Sequence, residues 1–222
     1  MGSRISLTDF PAPLVADTSA VINLIATGCA PAIIRALPTP LVVVDTVPAE
    51  LEAGRRRGRR DSDRLNELVA GGFVQIVSLG EVASGYFEEL VIGPAASTLD
   101  DGEAATIAYA VEHAGAVLID ERKATRICSE RFPELRVGCT VDILTHPQVE
   151  RNLGNEALAE AIFRALQDGR MRVLPHHLER VVGLIGEERA ALCPSLPRSV
   201  RPSPMTSPEH KSPRGHTSHD QT

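Results

Sequence analysis

The chain has 222 residues, which suits one domain with an appendage, and 43% of them are hydrophobic, ordinary for a globular core. Aromatics make up only 3%, with no Trp, so the core must be aliphatic and the base-stacking platforms of single-strand binders are not expected. A formal net charge of −6 argues against nucleic-acid binding by bulk electrostatics, so any such contact must come from a local basic patch.

Residues 1–13 form a polar lead-in ending in Pro11 and Pro13. Leu14 to Ala16 reads as a buried strand. Ser19 to Ala26 reads as a helix with Thr18 or Ser19 as its N-cap, stopped by Gly28. A second helical piece covers roughly Ala30 to Leu37. Leu41-Val42-Val43-Val44 is a continuous β-branched run, the pattern of a strand covered on both faces. Asp45 to Pro48 turns into a helix, with Pro near its first turn. The run Arg55 to Arg60 follows, and then a helix from about Ser62 to Ala70 that ends at Gly71-Gly72.

Phe73 to Leu79 is the third strand candidate, and residues 80–98 show no regular pattern. The clearest helix begins at Leu99-Asp100-Asp101-Gly102-Glu103 and runs to about His113. Ala116 to Ile119 is the fourth strand, Arg122 to Glu130 the next helix, and Leu135 to Cys139 a short fifth strand. Asn155 to Gln167 and His177 to Ala191 read as amphipathic helices. Alternating strands and helices predict an α/β fold, a three-layer α/β/α sandwich with a mostly parallel central sheet over residues 14–193. From Pro194 onward, prolines, Ser and Thr replace aliphatics, and 194–222 reads as a disordered tail.

Two targeting signals are weak. Met1-Gly2-Ser3-Arg4-Ile5-Ser6 fits a loose myristoylation pattern. Leu14 to Ala32 resembles a signal peptide, but Asp17 and Asn23 interrupt it, and no run approaches the ~18 apolar residues needed to span a bilayer. A cytoplasmic protein without membrane association is expected. Cys29, Cys128, Cys139 and Cys193 include no CxxC pair, which argues against a zinc site or a dense disulfide frame.

The chemistry points to four acids, Asp17, Glu50, Glu103 and Asp120, each at the edge of an apolar segment. Asp17 and Asp120 end strands, where open parallel sheets gather their functional groups. Glu50 lies about two turns past the second strand, and Glu103 lies in the first turn of a helix, whose N-terminus favours a carboxylate. Carboxylates gathered in one pocket repel one another unless a cation holds them, and metal plus acid suggests phosphodiester chemistry. Each has a purely structural reading as well: a turn at Asp17, an exposed helix residue at Glu50, a capping box from Asp100 to Glu103, and Glu121 in place of Asp120. Asp45, Asp101 and Asp142 read as turn or cap residues. His176-His177 reads as a surface pair, because adjacent helical residues point apart.

The order Val15-Ala16-Asp17-Thr18-Ser19-Ala20-Val21-Ile22-Asn23-Leu24, then Val47-Pro48-Ala49-Glu50-Leu51, then Leu99-Asp100-Asp101-Gly102-Glu103-Ala104, then Leu118-Ile119-Asp120-Glu121-Arg122 resembles a PIN domain over about residues 14–170. It is most similar to the branch whose third acid sits in a Gly-Glu-Ala helix start. The turn Gly138-Cys139-Thr140 departs by one residue from that branch's Gly-Thr pattern.

The resemblance implies a metal-dependent nuclease, with the toxin half of a VapBC-type toxin–antitoxin pair as the expected role. Asp17, Glu50, Glu103 and Asp120 would be catalytic. Asp17, Glu103 and Asp120 would hold Mg²⁺ or Mn²⁺, supported by Thr18, Ser19 and Thr140. RNA would be the substrate, with a small antitoxin and a second copy of the chain as partners. Arg55, Arg56, Arg57, Arg59 and Arg60, near Glu50, are candidates for RNA or antitoxin contact. A non-catalytic scaffold would not need four repelling acids. A haloacid-dehalogenase-type phosphatase would need a second Asp two residues after Asp17, where Ser19 stands.

Overall fold

The computed structural model describes residues 13–55 and 58–200. Its centre is a five-stranded sheet, with β1 (Leu14–Ala16), β2 (Leu41–Val44), β3 (Val74–Val77), β4 (Ala116–Leu118) and β5 (Arg136–Gly138) in the order β3-β2-β1-β4-β5. Every neighbouring pair is parallel, so the sheet is wholly rather than mostly parallel. Leu14 pairs with Leu41 on one side and with Ala116 on the other.

Parallel neighbours need crossovers, and helices supply them on both faces. Strand alternation sorts the side chains into two cores. Leu14, Ala16, Leu41, Val43, Ala116 and Leu118 face one side, where they meet α1 (Thr18–Ala26), α2 (Ala30–Arg35), α3 (Thr46–Arg55), α4 (Asp61–Ala70) and the C-terminal helices. Val15, Val42, Val44, Val117 and Ile119 face the other, where they meet α5 (Glu81–Val91), α6 (Asp101–Glu112) and α7 (Arg122–Arg131). This double cover is why the three central strands, β1, β2 and β4, read as unbroken apolar runs. The result is the expected three-layer α/β/α sandwich.

Several local expectations change. The stretch 80–98 contains α5, which buries only Ala83 and Leu90 and packs against α6; two buried positions are too few to mark a helix by period. The α1 helix begins one residue earlier than expected. Asp17 is its N-cap, not Thr18 or Ser19.

After β5, α8 (Thr140–Leu144) leads to α9 (Pro147–Gln167), which is kinked at Gly154, where φ is +73°. The predicted final helix is two, α10 (Leu178–Ile185) and α11 (Glu187–Ala191), divided at Gly186, with a 3-10 turn at Pro175–His177 before them. Packing continues to Leu196, which is buried, and Ser195 donates to the Leu166 carbonyl at 3.1 Å. The lead-in up to residue 12 and the tail from 201 lie outside the described residues. Among the described residues no helix is long and apolar enough to cross a membrane.

Candidate functional site

The chain leaves β1 to build β2 and β3 on one side, then crosses to build β4 and β5 on the other. Connections therefore diverge at the carboxyl end of β1, and a crevice opens there. Asp17 follows β1 directly, its backbone N–H donating to the Leu118 carbonyl at 3.2 Å. Asp120 stands just past β4. Glu50 reaches in from α3 and Glu103 from the first turn of α6. All four line one open cavity of about 320 Å³, together with Thr18, Ser19 and Asn23.

Each carboxylate is held by groups that donate to it. Asp17 is 3% exposed. Its Oδ1 accepts from the Ala20 N–H at 2.7 Å, which caps α1, and its Oδ2 accepts from Ser19 Oγ at 2.8 Å. Asp120 accepts from the Thr140 N–H at 2.8 Å, from Thr140 Oγ1 at 2.5 Å and from Asn23 Nδ2 at 2.7 Å. Glu50 accepts from Thr18 Oγ1 at 2.5 Å. Thr18 and Ser19 thus divide the work, the first orienting Glu50 and the second Asp17. The Glu103 N–H donates to Asp100 Oδ1 at 2.9 Å, so Asp100 caps α6 while the Glu103 side chain remains available to the cavity.

These bonds do not offset the burial of charge. Desolvation, then the nearby Asp120 carboxylate, pushes the Asp17 carboxyl up to about 8. Desolvation, then Asp100 and Glu121, pushes Glu103 up to about 7. Burial also raises Asp120, despite its three donors, and raises Glu50, despite Thr18. Among the described residues none of the four has a Lys, Arg or His ion-pair partner.

An all-oxygen donor set with uncompensated negative charge fits a hard divalent cation such as Mg²⁺ or Mn²⁺. Asp17, Glu103 and Asp120 could hold it, with Glu50 beside them. Ser19 and Thr140 would then fix the ligand carboxylates, the kind of support that ligands to metal ions need.

The arginine run separates. Arg59 lines the cavity while its Nε donates to Asp61 Oδ2 at 2.6 Å. Arg55 is turned to Glu52 and Asp63, at 3.6 and 3.5 Å. Arg60 is exposed and is not among the cavity-lining residues, and Arg56 and Arg57 lie outside the described residues.

Sequence reasoning missed several other lining residues. Arg170 and Arg172 come from the segment after α9, Arg172 paired with Glu121. Arg170 holds a left-handed backbone, φ +56°, uncommon for a residue with a side chain. Asn23 had a signal, since a polar residue inside the apolar Ser19–Ala26 helix needs a partner when buried. It finds Asp120. Its Oδ1 lies under Gly169, where a Cβ would come within 2.6 Å, so the glycine lets this segment close over Asn23.

A second group of donors adjoins Thr140. Cys139, Asp142 and His177 each offer one ligand atom, and these atoms lie within 4.8 Å of one another. It draws on none of the four acids.

A family model described as "PIN domain" matches residues 13–187. No curated protein and no solved structure is significantly similar to the chain. PIN domains are generally nucleases, and they typically use divalent metals. The match covers most of the chain and all four acids, and the chain belongs to the PIN-domain family.

Proposed function

We propose that the chain is an Mg²⁺- or Mn²⁺-dependent endoribonuclease and the toxin of a type II toxin–antitoxin pair, acting in the cytoplasm as a homodimer. RNA is its substrate and a small antitoxin its inhibitor. The observation that carries the nuclease reading is the convergence of Asp17, Glu50, Glu103 and Asp120 on one cavity, none of them ion-paired to a basic side chain among the described residues. Such a cluster costs stability in the metal-free chain, and a scaffold protein would gain nothing by keeping it. The toxin role draws on the Asp100–Ala104 motif, whose Gly-Glu-Ala helix start resembles that of toxin-type members.

A bound divalent ion supplies activation of water and charge compensation at the scissile phosphate. The chain's own groups set the geometry. Thr140 and Asn23 fix Asp120, Ser19 and the Ala20 amide fix Asp17, and Thr18 fixes Glu50. Preorganisation of this kind avoids reorienting dipoles during reaction. Arg59, Arg170 and Arg172 bring positive charge to a cavity whose acids repel phosphate. They would hold the flanking backbone while the acids face the reacting centre.

The test is cleavage of mixed RNA by the purified full chain with Mg²⁺ or Mn²⁺, with EDTA and Asp17→Asn as controls. Cleavage that requires the ion and is lost in the variant supports the site. Cleavage unchanged in Asp17→Asn would sink it. Growth arrest on expression, relieved by the same substitution, tests the toxin role.

A further inference from the structure

We propose that Cys139, Asp142 and His177 form a second metal site, selective for Zn²⁺ or a similarly thiophilic ion and separate from the four-acid cavity. It goes beyond the nuclease reading and does not depend on it. The donors come from places far apart in sequence. Cys139 follows β5, Asp142 lies in the first turn of α8, and His177 ends the 3-10 turn before α10. Cysteine spacing alone misses such a site, because it has one thiol and takes its imidazole from a distant turn.

Three observations support it. First, the donor types are sulfur, nitrogen and oxygen, with all three ligand atoms inside 4.8 Å. Hard ions prefer oxygen sets, whereas a thiolate with an imidazole selects zinc-like ions.

Second, His177 Nε2 lies 3.1 Å from Asp142 Oδ1 yet is buried without a hydrogen-bond partner. Two ligands of one tetrahedral ion, each ~2.0–2.1 Å from it, lie roughly 3.4 Å apart without pointing at each other. At 3.1 Å the two atoms already stand close to the separation that a shared ion requires.

Third, the support is in place. The Cys139 N–H donates to Asp142 Oδ2 at 2.9 Å, which fixes the carboxylate and leaves Oδ1 for the ion. The His176 ring packs on His177 with centroids 4.1 Å apart. Cys139 is 2% exposed, while the Asp142 and His177 side chains are 30% and 13% exposed, so the ion can enter from their side. A water would complete four-coordination.

Thr140, between Cys139 and Asp142, binds Asp120. An ion here would fasten the 3-10 turn and α10 to the loop that orients the Asp120 carboxylate. Binding releases the thiol proton of Cys139 to solvent and forms the Sγ–metal bond.

The test is titration of the full chain, reduced with a phosphine, with Co²⁺ as a spectroscopic substitute for Zn²⁺. The expected result is a near-ultraviolet thiolate-to-cobalt band at one equivalent, bleached by Zn²⁺. It should persist in Asp17→Asn and Glu103→Gln, which separates this site from the four-acid cavity. Cys139→Ser and His177→Gln should abolish the band or weaken Co²⁺ affinity more than ~100-fold, beyond the cost of losing outer-shell support alone. His177 lies in a 3-10 turn and belongs to neither hydrophobic core, so His177→Gln keeps the test valid if Cys139→Ser fails to fold. No thiolate band in the unmodified chain, or a band unchanged in folded His177→Gln, overturns the proposal.

Discussion

Glu50 rests on Gly102. A Cβ built at Gly102 would meet Glu50 Oε1 at 2.5 Å, so the carboxylate from α3 occupies the space that a side chain at the start of α6 would fill. The glycine before Glu103 is thus a seat for an acid that stands 52 residues earlier in the chain, beyond β3 and α5. Gly102 does not have a positive φ, so its role is space and not backbone freedom.

Gly102→Ala should therefore separate activity from stability. The methyl group displaces the end of a flexible side chain, which can swing aside at little cost. Alanine also favours a helix over glycine by ~1 kcal/mol. The expected outcome is a melting temperature equal to or above that of the parent, with metal-dependent RNA cleavage reduced at least about tenfold, as a misplaced catalytic group predicts. Melting curves and initial rates with Glu50→Gln alongside provide the check. Full activity in Gly102→Ala would show that the position of Glu50 is immaterial.

Asp17 makes the metal-free chain sensitive to pH. Its carboxyl is pushed up to about 8 in the fold from an ordinary value near 3.8, chiefly by burial and then by Asp120. Between those values the folded chain binds more protons than the unfolded chain, so stability falls as pH rises. Without divalent ions, the melting temperature should fall from pH 5 to pH 8. Added Mg²⁺ or Mn²⁺ should flatten the trend by replacing protons. Asp17→Asn keeps a capping side chain, since Asn is as good an N-cap as Asp, and removes the buried charge. It should raise the metal-free melting temperature at pH 8 by ~2–4 °C per kcal/mol relieved, and it should also flatten the profile. A metal-free melting temperature that rises over this range would contradict the assignment.

Thr140 gives Asp120 two of its three donors, one from the backbone and one from the hydroxyl. Thr140→Val removes only the hydroxyl and keeps the size. Asp120 then loses a short charge-assisted bond inside the core, a loss of ~1–3 kcal/mol in stability. Cleavage should fall with it. Thr140→Ser restores the donor and should recover most of the activity, although it loses a methyl. If Val and Ser variants are equally impaired, packing and not the hydroxyl is what Thr140 contributes.

The sheet and the acids were legible for different reasons. Leu41-Val42-Val43-Val44 announces a strand buried on both faces, and the structure places Leu41 and Val43 in one core and Val42 and Val44 in the other. Asp17 and Asp120 were visible because each ends such a run. The helix α5 was not, since only Ala83 and Leu90 are buried and its period is too thin to read. Arg170 and Arg172 were also invisible, because a pair of arginines after an amphipathic helix looks like any solvated surface. Only the closing of the Gly169–Arg172 segment over Asn23 brings them to the cavity, and that is a tertiary event. Helical geometry predicts His177 at the surface, yet it ends a 3-10 turn and faces Asp142.

The separation of cavity arginines from surface arginines predicts a difference in salt dependence. Arg59 and Arg170 line the cavity, whereas Arg60 is exposed outside it. A guanidinium that neutralises a phosphate releases condensed counterions, so removing it reduces the slope of log affinity against log salt. For a single strand the change is ~0.7 per contact. Arg59→Ala and Arg170→Ala, each in an Asp17→Asn background that prevents cleavage, should each lower the slope by about that amount and weaken binding of unrelated RNA sequences equally. Arg60→Ala should leave the slope unchanged. Arg172→Ala is a less clean test, because it releases Glu121, a cavity-lining carboxylate, from its ion pair, whereas the Asp61 freed by Arg59→Ala does not line the cavity. It should weaken binding more than its change in slope accounts for. Equal slopes for Arg59→Ala, Arg170→Ala and the parent would mean that RNA reaches the acids without touching these side chains.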